Sequence, residues 1–384
     1  MYADKRSSIW VLFFCAFLLW SIGFGLSPFQ RAFAQRGIAQ GVQEILDVVR
    51  PDSLRYDRMS MRVKSGEAPG YFPVSQGGSV GDSVVSYPVG SRNVSWVSRE
   101  GVQISALVFY PTVPPVDGQK FSAVIFSHGL GGDVENFVYL GRAWAERGIV
   151  TICLRHPESD ESIWRGKLRP MGELKVAYNK YWSARDRARA IRSGIDFLYA
   201  VHDDDGPLGV DLDLNKIGVA GNDLGALGAL LVAGQLPPDN GSSMRDTRVA
   251  GVLALSPPVF CDSIQGGYVY AGIAVPVMVI TGTQDDGIVG TTKASQRRLP
   301  YDCVRDVDKY LVILQGGDHR VYGGRRLGVK QGGDLSFQNS IRQETADFWS
   351  AYLLENSGIL HQLYIAGKVT NLSNAYVEWQ ISGK

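Results

Sequence analysis

One turn in this sequence places a carboxylate where it can react. An apolar strand leads into Gly221-Asn222-Asp223-Leu224-Gly225, which we call the elbow, and a helix of small apolar residues follows. Strained strand-to-helix turns of this kind lift one side chain above the edge of a sheet. Glycines are needed there because nothing larger lets the strand and helix backbones pass so closely. The displayed side chain is Asp223, which can act as a nucleophile or as a base.

Two further strand ends supply partners for Asp223. Asp285 follows the apolar run VPVMVITGT, and His319 follows YLVILQGGD. A carboxylate can orient an imidazole and stabilise its protonated form, while the imidazole activates the reacting group or a water. The neighbouring Asp286 is an alternative acid, but the spacing from Gly282 favours Asp285.

A glycine-rich loop supplies the fourth part of the constellation. The segment His128 to Gly132, HGLGG, follows a predicted strand and precedes a predicted helix, and we call it the oxyanion loop. Its backbone N–H groups can stabilise a developing negative charge on oxygen. We assign this oxyanion hole, the pair of donors that would bind the charged oxygen, to the N–H groups of Leu130 and Leu224. His128 is then expected to fix the loop by hydrogen bonding, and it is also a candidate to line the pocket.

Further pocket candidates follow the next predicted strand. His156, in LRHPESD, lies at a strand end, where it can line the pocket or stabilise a loop. The segment 157–182, which we call the insertion, contains Trp164, Tyr178 and Tyr181 and can form a small lid. Its alternative is an amphipathic extension of the following helix.

Each motif also has an explanation without catalysis. An aspartate at a strand-to-helix turn is often a helix N-cap, worth about 1 kcal/mol. GGDH can be a surface turn, and HGLGG a turn required by packing. Their joint occurrence at predicted strand ends, in the order nucleophile, acid, histidine, favours a catalytic site.

The elements that must position these residues indicate an α/β fold. Apolar strands alternate with amphipathic helices such as RDRARAIRSGIDFL, which predicts a mostly parallel central sheet with helices on both faces. The runs VVSYPV, VSWVS and ISALVFYP predict antiparallel edge strands before it. We place the domain at 81–356, after an N-terminal extension at 35–80 and before a C-terminal tail at 357–384. Catalytic groups in such sheets gather at the carboxyl ends of the strands.

Composition and charge limit the kinds of partner and cofactor that we expect for this protein. The 384 residues include 39 Lys and Arg against 38 Asp and Glu, a net charge of +1, without the basic run that nucleic-acid binding needs. We therefore expect a small-molecule substrate and no nucleic acid. No cysteine or histidine spacing resembles a zinc site, and we expect no metal and no cofactor.

The N-terminus predicts export. Basic Lys5 and Arg6 precede a long apolar run, and Ala32-Phe33-Ala34 matches a cleavage site, so 1–34 is predicted to be a signal peptide. Because the run is nearly long enough to span a bilayer, an uncleaved membrane anchor is the alternative. If the signal peptide is cleaved, the protein is expected to be periplasmic or extracellular.

An oxidising compartment raises the question of disulfides. Cys153 lies in an apolar strand and is expected to be an inert core thiol. Cys261 and Cys303 lie on segments that flank the one bearing Asp285. They are candidates for a disulfide, although sequence alone does not determine the pairing.

Eight segments taken together resemble one branch of a known superfamily: FYPT, SHGLGG, RHPESD, RDRARAIRSGIDFL, the elbow, LSPPV, VPVMVITGTQDD and QGGDH. They are similar to the platelet-activating-factor acetylhydrolase and dienelactone-hydrolase-like branch of the α/β-hydrolases, from about Leu107 to about Ser350. The resemblance implies the α/β-hydrolase fold and hydrolysis of short acyl or other carboxylic esters without a metal or organic cofactor.

The departure from that family is Asp223, where the family has serine. An aspartate attacking an ester carbonyl would form a mixed anhydride while expelling a poor alkoxide leaving group. Aspartate nucleophiles suit displacement at saturated carbon, as in haloalkane dehalogenases and epoxide hydrolases. Those families typically carry His-Gly-x-Pro in place of HGLGG, and dehalogenases place a tryptophan where this chain has Leu224.

Two hypotheses follow. The first is an exported hydrolase in which Asp223 is the nucleophile or a water-activating base, His319 the general base and Asp285 its orienting acid. The second is a catalytically silent protein of the same fold that binds a ligand in the pocket. A serine such as Ser127 or Ser256 acting instead of Asp223 is a weaker third option, because neither lies on the elbow.

Overall fold

A nine-stranded sheet organises the computed structural model, which describes residues 86–115, 118–181, 184–202, 208–239, 241–323, 332–365 and 375–380. The strands are β1 (Val89–Val97), β2 (Gln103–Pro111), β3 (Phe121–Ser127), β4 (Ile149–Arg155), β5 (Leu212–Asn222), β6 (Val249–Leu255), β7 (Val277–Gln284), β8 (Lys309–Asp318) and β9 (Ala375–Gln380).

The order across the sheet is β1-β2-β4-β3-β5-β6-β7-β8-β9. The six central strands run parallel to one another; in sheet order they are β4, β3, β5, β6, β7 and β8. The edge strands β1 and β2 at one side and β9 at the other are antiparallel. This arrangement confirms the predicted α/β class, with a mostly parallel centre and N-terminal antiparallel edge strands. It brings the ends of β3, β5, β7 and β8 to one edge of the sheet.

Eight α-helices accompany the strands in the described residues. They are α1 (Val138–Ala145), α2 (Pro170–Tyr181), α3 (Ala184–Ala200), α4 (Leu224–Ala233), α5 (Ser263–Val269), α6 (Leu299–Cys303), α7 (Gly332–Tyr352) and α8 (Ser357–Ile365). Short 3-10 turns precede α1 at Val134–Phe137 and lie in the insertion at Glu161–Ile163.

Alternation along β3 shows that helices cover both faces of the sheet. Val124 and Phe126 belong to the core cluster that α1 and α7 complete. Ile125, between them, faces the opposite side, where its side chain contacts Gly194 of α3. Because side chains alternate across a strand, α3 and α7 lie on opposite faces. All seven residues of β3 are buried, as expected for a central parallel strand.

Helix α4 is buried along its whole length, which the small residues after the elbow permit. All ten of its residues are buried, so it is apolar on every side. Its glycines allow close contacts: a Cβ added to Gly228 would lie 2.7 Å from the Cβ of Arg187 on α3. The elbow is therefore attached to a fully buried, closely packed helix.

The chain ends differ from expectation in one respect. The predicted C-terminal tail contributes α8 and β9, and β9 pairs with β8 as part of the sheet. The sheet therefore extends beyond the boundary that we placed at residue 356. The targeting segment 1–34 and the extension 35–80 lie outside the described residues, as do Val84 and Val85 of the first predicted edge strand. The rest of that prediction is wrong, because residues 86–88 are not in a strand and only Val89 belongs to β1. Among the residues described, no helix is both long and apolar enough to cross a bilayer.

Candidate active site

The elbow has the strained geometry expected from its sequence. Asp223 lies between β5 and α4 with φ 49° and ψ −118°, a conformation that costs energy for a residue with a side chain. Its N–H donates to the carbonyl of Leu255 at 2.9 Å, which holds the turn against β6. The Asp223 side chain forms no capping hydrogen bond with α4. Asp223 is the N-cap residue of α4 by position, but without that hydrogen bond capping does not explain why an aspartate stands here.

The two elbow glycines are required by close backbone contacts. A Cβ on Gly221 would lie 2.2 Å from the carbonyl carbon of Gly225. A Cβ on Gly225 would lie 1.9 Å from the carbonyl oxygen of Ser127, at the end of β3. Both separations are far below van der Waals contact, so this turn can form only with glycine at these positions.

The predicted histidine and acid meet the elbow at the same edge of the sheet. Nδ1 of His319 lies 2.8 Å from Oδ1 of Asp285, and Nε2 lies 3.9 Å from Oδ1 of Asp223. The ring therefore presents its second nitrogen to Asp223 at more than hydrogen-bond distance. Asp286 is exposed and binds the Lys293 ammonium group, which excludes it as the orienting acid.

Asp285 is a fully buried carboxylate with donors on both oxygens. Oδ2 accepts hydrogen bonds from Thr281 Oγ1 at 3.0 Å and from the Tyr322 hydroxyl at 2.8 Å. Burial by itself would raise its pKa, but the hydrogen bond from His319 and the charge of Arg297 outweigh it, and the pKa of Asp285 is lowered. The acid is thus held ionised and can only accept from the imidazole.

Arg297 is part of this site and was missed from the sequence. Its side chain is 1% exposed, and its Nε donates to the carbonyl oxygen of Asp285 at 2.6 Å. Nη1 donates at 2.7 Å to the carbonyl of Ser256, a residue with a positive φ of 51°. No sequence signal distinguishes Arg297 from the adjacent Arg298, which forms surface ion pairs with Asp302 and Glu378.

The oxyanion loop directs an amide at the elbow aspartate itself. The N–H of Leu130 donates to Oδ2 of Asp223 at 3.4 Å. The N–H of Leu224 belongs to the first turn of α4, where helix amides have no acceptor within the helix. The assignment of Leu130 to the hole is consistent with this contact, and that of Leu224 stays a prediction.

A cavity of about 460 Å³ lies over these groups. Asp223, His319 and Leu130 line its floor, and Trp164 and Tyr178 of the insertion also line it. Trp164 Nε1 donates to the carbonyl of Gly131 at 2.7 Å, so the insertion holds the oxyanion loop as well as covering it. Trp164 is therefore a pocket residue, as predicted, and the insertion contributes to the cavity wall.

Two predicted pocket histidines lie elsewhere. His128 and His156 do not line this cavity; their rings are 4.9 Å apart, behind the oxyanion loop. Nδ1 of His128 bonds to the Gly129 carbonyl oxygen, which is the structural role that we expected. Burial and the nearby charge of Arg187 lower the pKa of His128 to about 3 and lower that of His156 well below 6.5.

Neither alternative serine is placed to act instead of Asp223. Ser256 Oγ lies 2.9 Å from Nδ1 of His319 and 2.9 Å from Asp285, on the side of the ring away from the elbow. Ser127 Oγ bonds to Nε2 of His156 behind the oxyanion loop. Both hydroxyls are fully buried.

The three described cysteines outside the N-terminal segment are free thiols. A disulfide between Cys261 and Cys303, which the sequence left open, is not present in this structure. Cys153 is fully buried in β4, and burial raises the pKa of its thiol to about 12. This environment agrees with the inert role predicted for Cys153.

Neither the protein-family models nor the curated proteins contain a significant match to this chain. What the site can do is therefore inferred from its own geometry.

Proposed function

We propose that this protein is a hydrolase of the α/β-hydrolase fold that uses Asp223 as its nucleophile. Four features support the fold: the elbow after β5, the oxyanion loop after β3, the acid after β7 and the histidine after β8. Their order along the chain, Asp223, Asp285, His319, is the order of nucleophile, acid and histidine in that superfamily. The resemblance to the acetylhydrolase and dienelactone-hydrolase-like branch supports the fold in this proposal, whereas the ester hydrolysis that it implies is the alternative reaction.

One observation carries the choice of reaction: the Leu130 N–H points at Oδ2 of Asp223. In an esterase the hole receives the carbonyl oxygen of the substrate, beside the nucleophile. Here a carboxylate oxygen of the enzyme occupies that position. The oxyanion that this amide can stabilise is therefore one formed at the Asp223 carboxyl carbon, which favours displacement at saturated carbon over ester hydrolysis.

The first step forms an ester on the enzyme. Oδ1 of Asp223 attacks an electrophilic saturated carbon, a C–O bond forms, and the leaving group departs with the electrons of the broken bond. A halide leaves as the anion, whereas an epoxide oxygen stays attached to the substrate and takes up a proton from water, which the proton released in the second step replaces. Asp223 is now a neutral ester, and its former negative charge has moved to the leaving group.

The second step releases the product. His319 Nε2 removes a proton from a water, and the resulting hydroxide attacks the Asp223 carboxyl carbon. The 3.9 Å separation between Nε2 and Asp223 leaves the imidazole without a direct hydrogen bond to the nucleophile. Oδ2 carries the negative charge of the tetrahedral intermediate beside the Leu130 N–H. Its collapse expels the product as an alkoxide, which takes the proton from His319 and becomes the alcohol. The Asp223 carboxyl group then releases its remaining proton to water, which restores the carboxylate.

A single-turnover experiment in water labelled with heavy oxygen tests this proposal. Excess protein is mixed with n-butyl bromide, styrene oxide or p-nitrophenyl acetate. After digestion, the mass of the peptide that contains Asp223 is measured by mass spectrometry. We expect heavy oxygen to enter Asp223 with the bromide or the epoxide. His319→Gln should stop at the alkyl-enzyme ester, and Asp223→Asn should form no adduct.

The outcomes separate the hypotheses. Turnover of the acetate without label in Asp223 would make the aspartate a base and support ester hydrolysis. Binding of all three probes with neither turnover nor label would support a silent ligand-binding protein. Asp223→Ser is the companion variant, because a gain of ester turnover would show an esterase scaffold whose nucleophile was replaced.

A further inference from the structure

A single buried arginine lies behind the candidate site. Arg187 on α3 is 3% exposed, and its Nη2 donates to Ser159 Oγ at 2.7 Å. Its Nη1 is buried and has no hydrogen-bond partner. Among the described residues, no carboxylate lies within ion-pair distance of this guanidinium. A buried cation without a paired anion is costly, so its presence calls for an explanation.

Arg187 is packed between the elbow helix and the oxyanion loop. Its Cβ lies 2.7 Å from where a Cβ on Gly228 of α4 would be, one turn after Leu224, so the two helices approach closely there. Ser159, which binds the guanidinium, accepts the Gly131 N–H on its carbonyl oxygen at 2.8 Å. Ser159 therefore connects Arg187 to the oxyanion loop through two hydrogen bonds. The N–H just before Gly131 in this loop, that of Leu130, donates to Asp223.

The charges around Arg187 single out Asp223. Burial lowers the pKa of Arg187 to about 9, and Asp223 is the carboxylate that does most to oppose this effect. The two histidines nearby are held neutral by their own burial and by Arg187. At neutral pH the two histidines therefore add no charge behind the loop, and Asp223 is the first of three carboxylates that stabilise the Arg187 cation, ahead of Asp160 and Asp186.

We propose that Arg187 is the counter-ion of Asp223 and favours hydrolysis of the alkyl-enzyme ester. This inference rests on the proposed function, because it assigns Arg187 a role in a two-step reaction at Asp223. Arg187 acts through Asp223 without touching the substrate, which makes it a positioning residue.

The charge on Asp223 changes between the two steps, and this change determines which step Arg187 favours. In the free enzyme, Asp223 is negative and balances Arg187. In the ester, Asp223 is neutral and Arg187 loses the strongest of the negative charges that stabilise it, which raises the free energy of that intermediate. In the tetrahedral intermediate that follows, the Asp223 oxygen is negative again and the pairing returns. The arginine thus lowers the barrier from the ester to the products and works against accumulation of the ester.

The test compares the two steps in Arg187→Met and in a matched control. The control is Arg189→Met, which makes the same charge change two residues along α3, at an exposed arginine paired with Asp186. Single turnovers with n-butyl bromide and styrene oxide are quenched over time, and the alkylated protein is quantified by mass. We expect Arg187→Met to slow ester hydrolysis on the order of tenfold while alkylation is as fast or faster. Arg189→Met should match the wild type.

A conservative variant separates charge from packing. Arg187→Lys retains the positive charge and should keep ester hydrolysis closer to the wild-type rate than Arg187→Met does. Arg187→Gln is the second uncharged variant, should the methionine variant fail to fold. An ester that hydrolyses at the wild-type rate in both uncharged variants would overturn the role of Arg187 alone. A wild type that forms no adduct and incorporates no heavy oxygen would overturn the proposed function, and the inference about Arg187 with it.

Discussion

The ionised state of Asp285 depends on a shell of donors contributed by four different segments. Thr281, Ser256, Tyr322 and Arg297 all reach its carboxyl or carbonyl oxygens, in addition to His319. Such a carboxylate is stable in a buried position only while most of these hydrogen bonds are present. An aspartate at position 285 is therefore only part of what keeps this buried carboxylate ionised.

We predict that Tyr322→Phe destabilises the protein by about 2 kcal/mol, because it removes a hydrogen bond to a buried charge. Tyr139→Phe is the control: it removes a hydroxyl that donates to the neutral Tyr322 carbonyl, and it should cost about 1 kcal/mol. The free energies of unfolding are measured by denaturant titration. Equal losses in the two variants would argue against a charged Asp285.

At the scale of elements, the site is an assembly of strand ends held by backbone contacts. Strand β5, helix α4 and the end of β3 approach so closely that the elbow has no room for a side chain at Gly225. The insertion adds a second layer through the hydrogen bond from Trp164 to Gly131. These contacts determine the distance between the oxyanion loop and Asp223.

We predict that Gly225→Ala destabilises the protein by about 3 kcal/mol or more, because its Cβ overlaps a backbone carbonyl that cannot move away cheaply. Gly267→Ala on α5 makes the same change where no atom lies within 4 Å. It should be neutral or stabilise by up to about 1 kcal/mol, since alanine favours helix. Denaturant unfolding of both variants is the measurement, and a mild effect of Gly225→Ala would contradict the close packing of the elbow.

At the scale of the molecule, burying two neutral histidines beside a cation makes stability depend on pH. The folded-state pKa of His128 is about 3 against an ordinary value of 6.5. Below 6.5 the unfolded chain takes up a proton that the folded protein does not. Stability contributed by His128 is therefore complete above pH 6.5 and declines as pH falls toward about 3.

We predict that His128→Gln reduces the acid sensitivity of the protein. In the wild type this histidine costs about 1.4 kcal/mol for each pH unit of acidification within that window. The variant lacks the group, so its free energy of unfolding should fall less steeply between pH 6.5 and about pH 4. His361→Gln, at an exposed position on α8, should keep the wild-type slope. An unchanged slope in His128→Gln would show that the folded protein protonates His128 as readily as the unfolded chain does.

Much of the site could be predicted because its determinants are local. The two glycines of the elbow, the glycine-rich loop and the polar residues at the ends of apolar runs are short-range signals of turns at strand ends. Because parallel strands end at one edge of the sheet, these signals also implied that Asp223, Asp285 and His319 would meet there. The alternation of strands and helices predicted the class of fold for the same reason.

The remaining features depend on contacts between distant parts of the chain. Arg297 reaches Ser256 across 41 residues, and Arg187 reaches Ser159 across 28 residues on a different element. No local pattern distinguishes Arg297 from its neighbour Arg298. Helical spacing does place Arg187 on the same face of α3 as the buried Ile191 and Leu198, but how the helix packs on the sheet decides which groups it meets there. The sequence by itself determined which residues stand at the strand ends. Only the tertiary structure decided which charges surround them, since electrostatic environment is a property of packing in space.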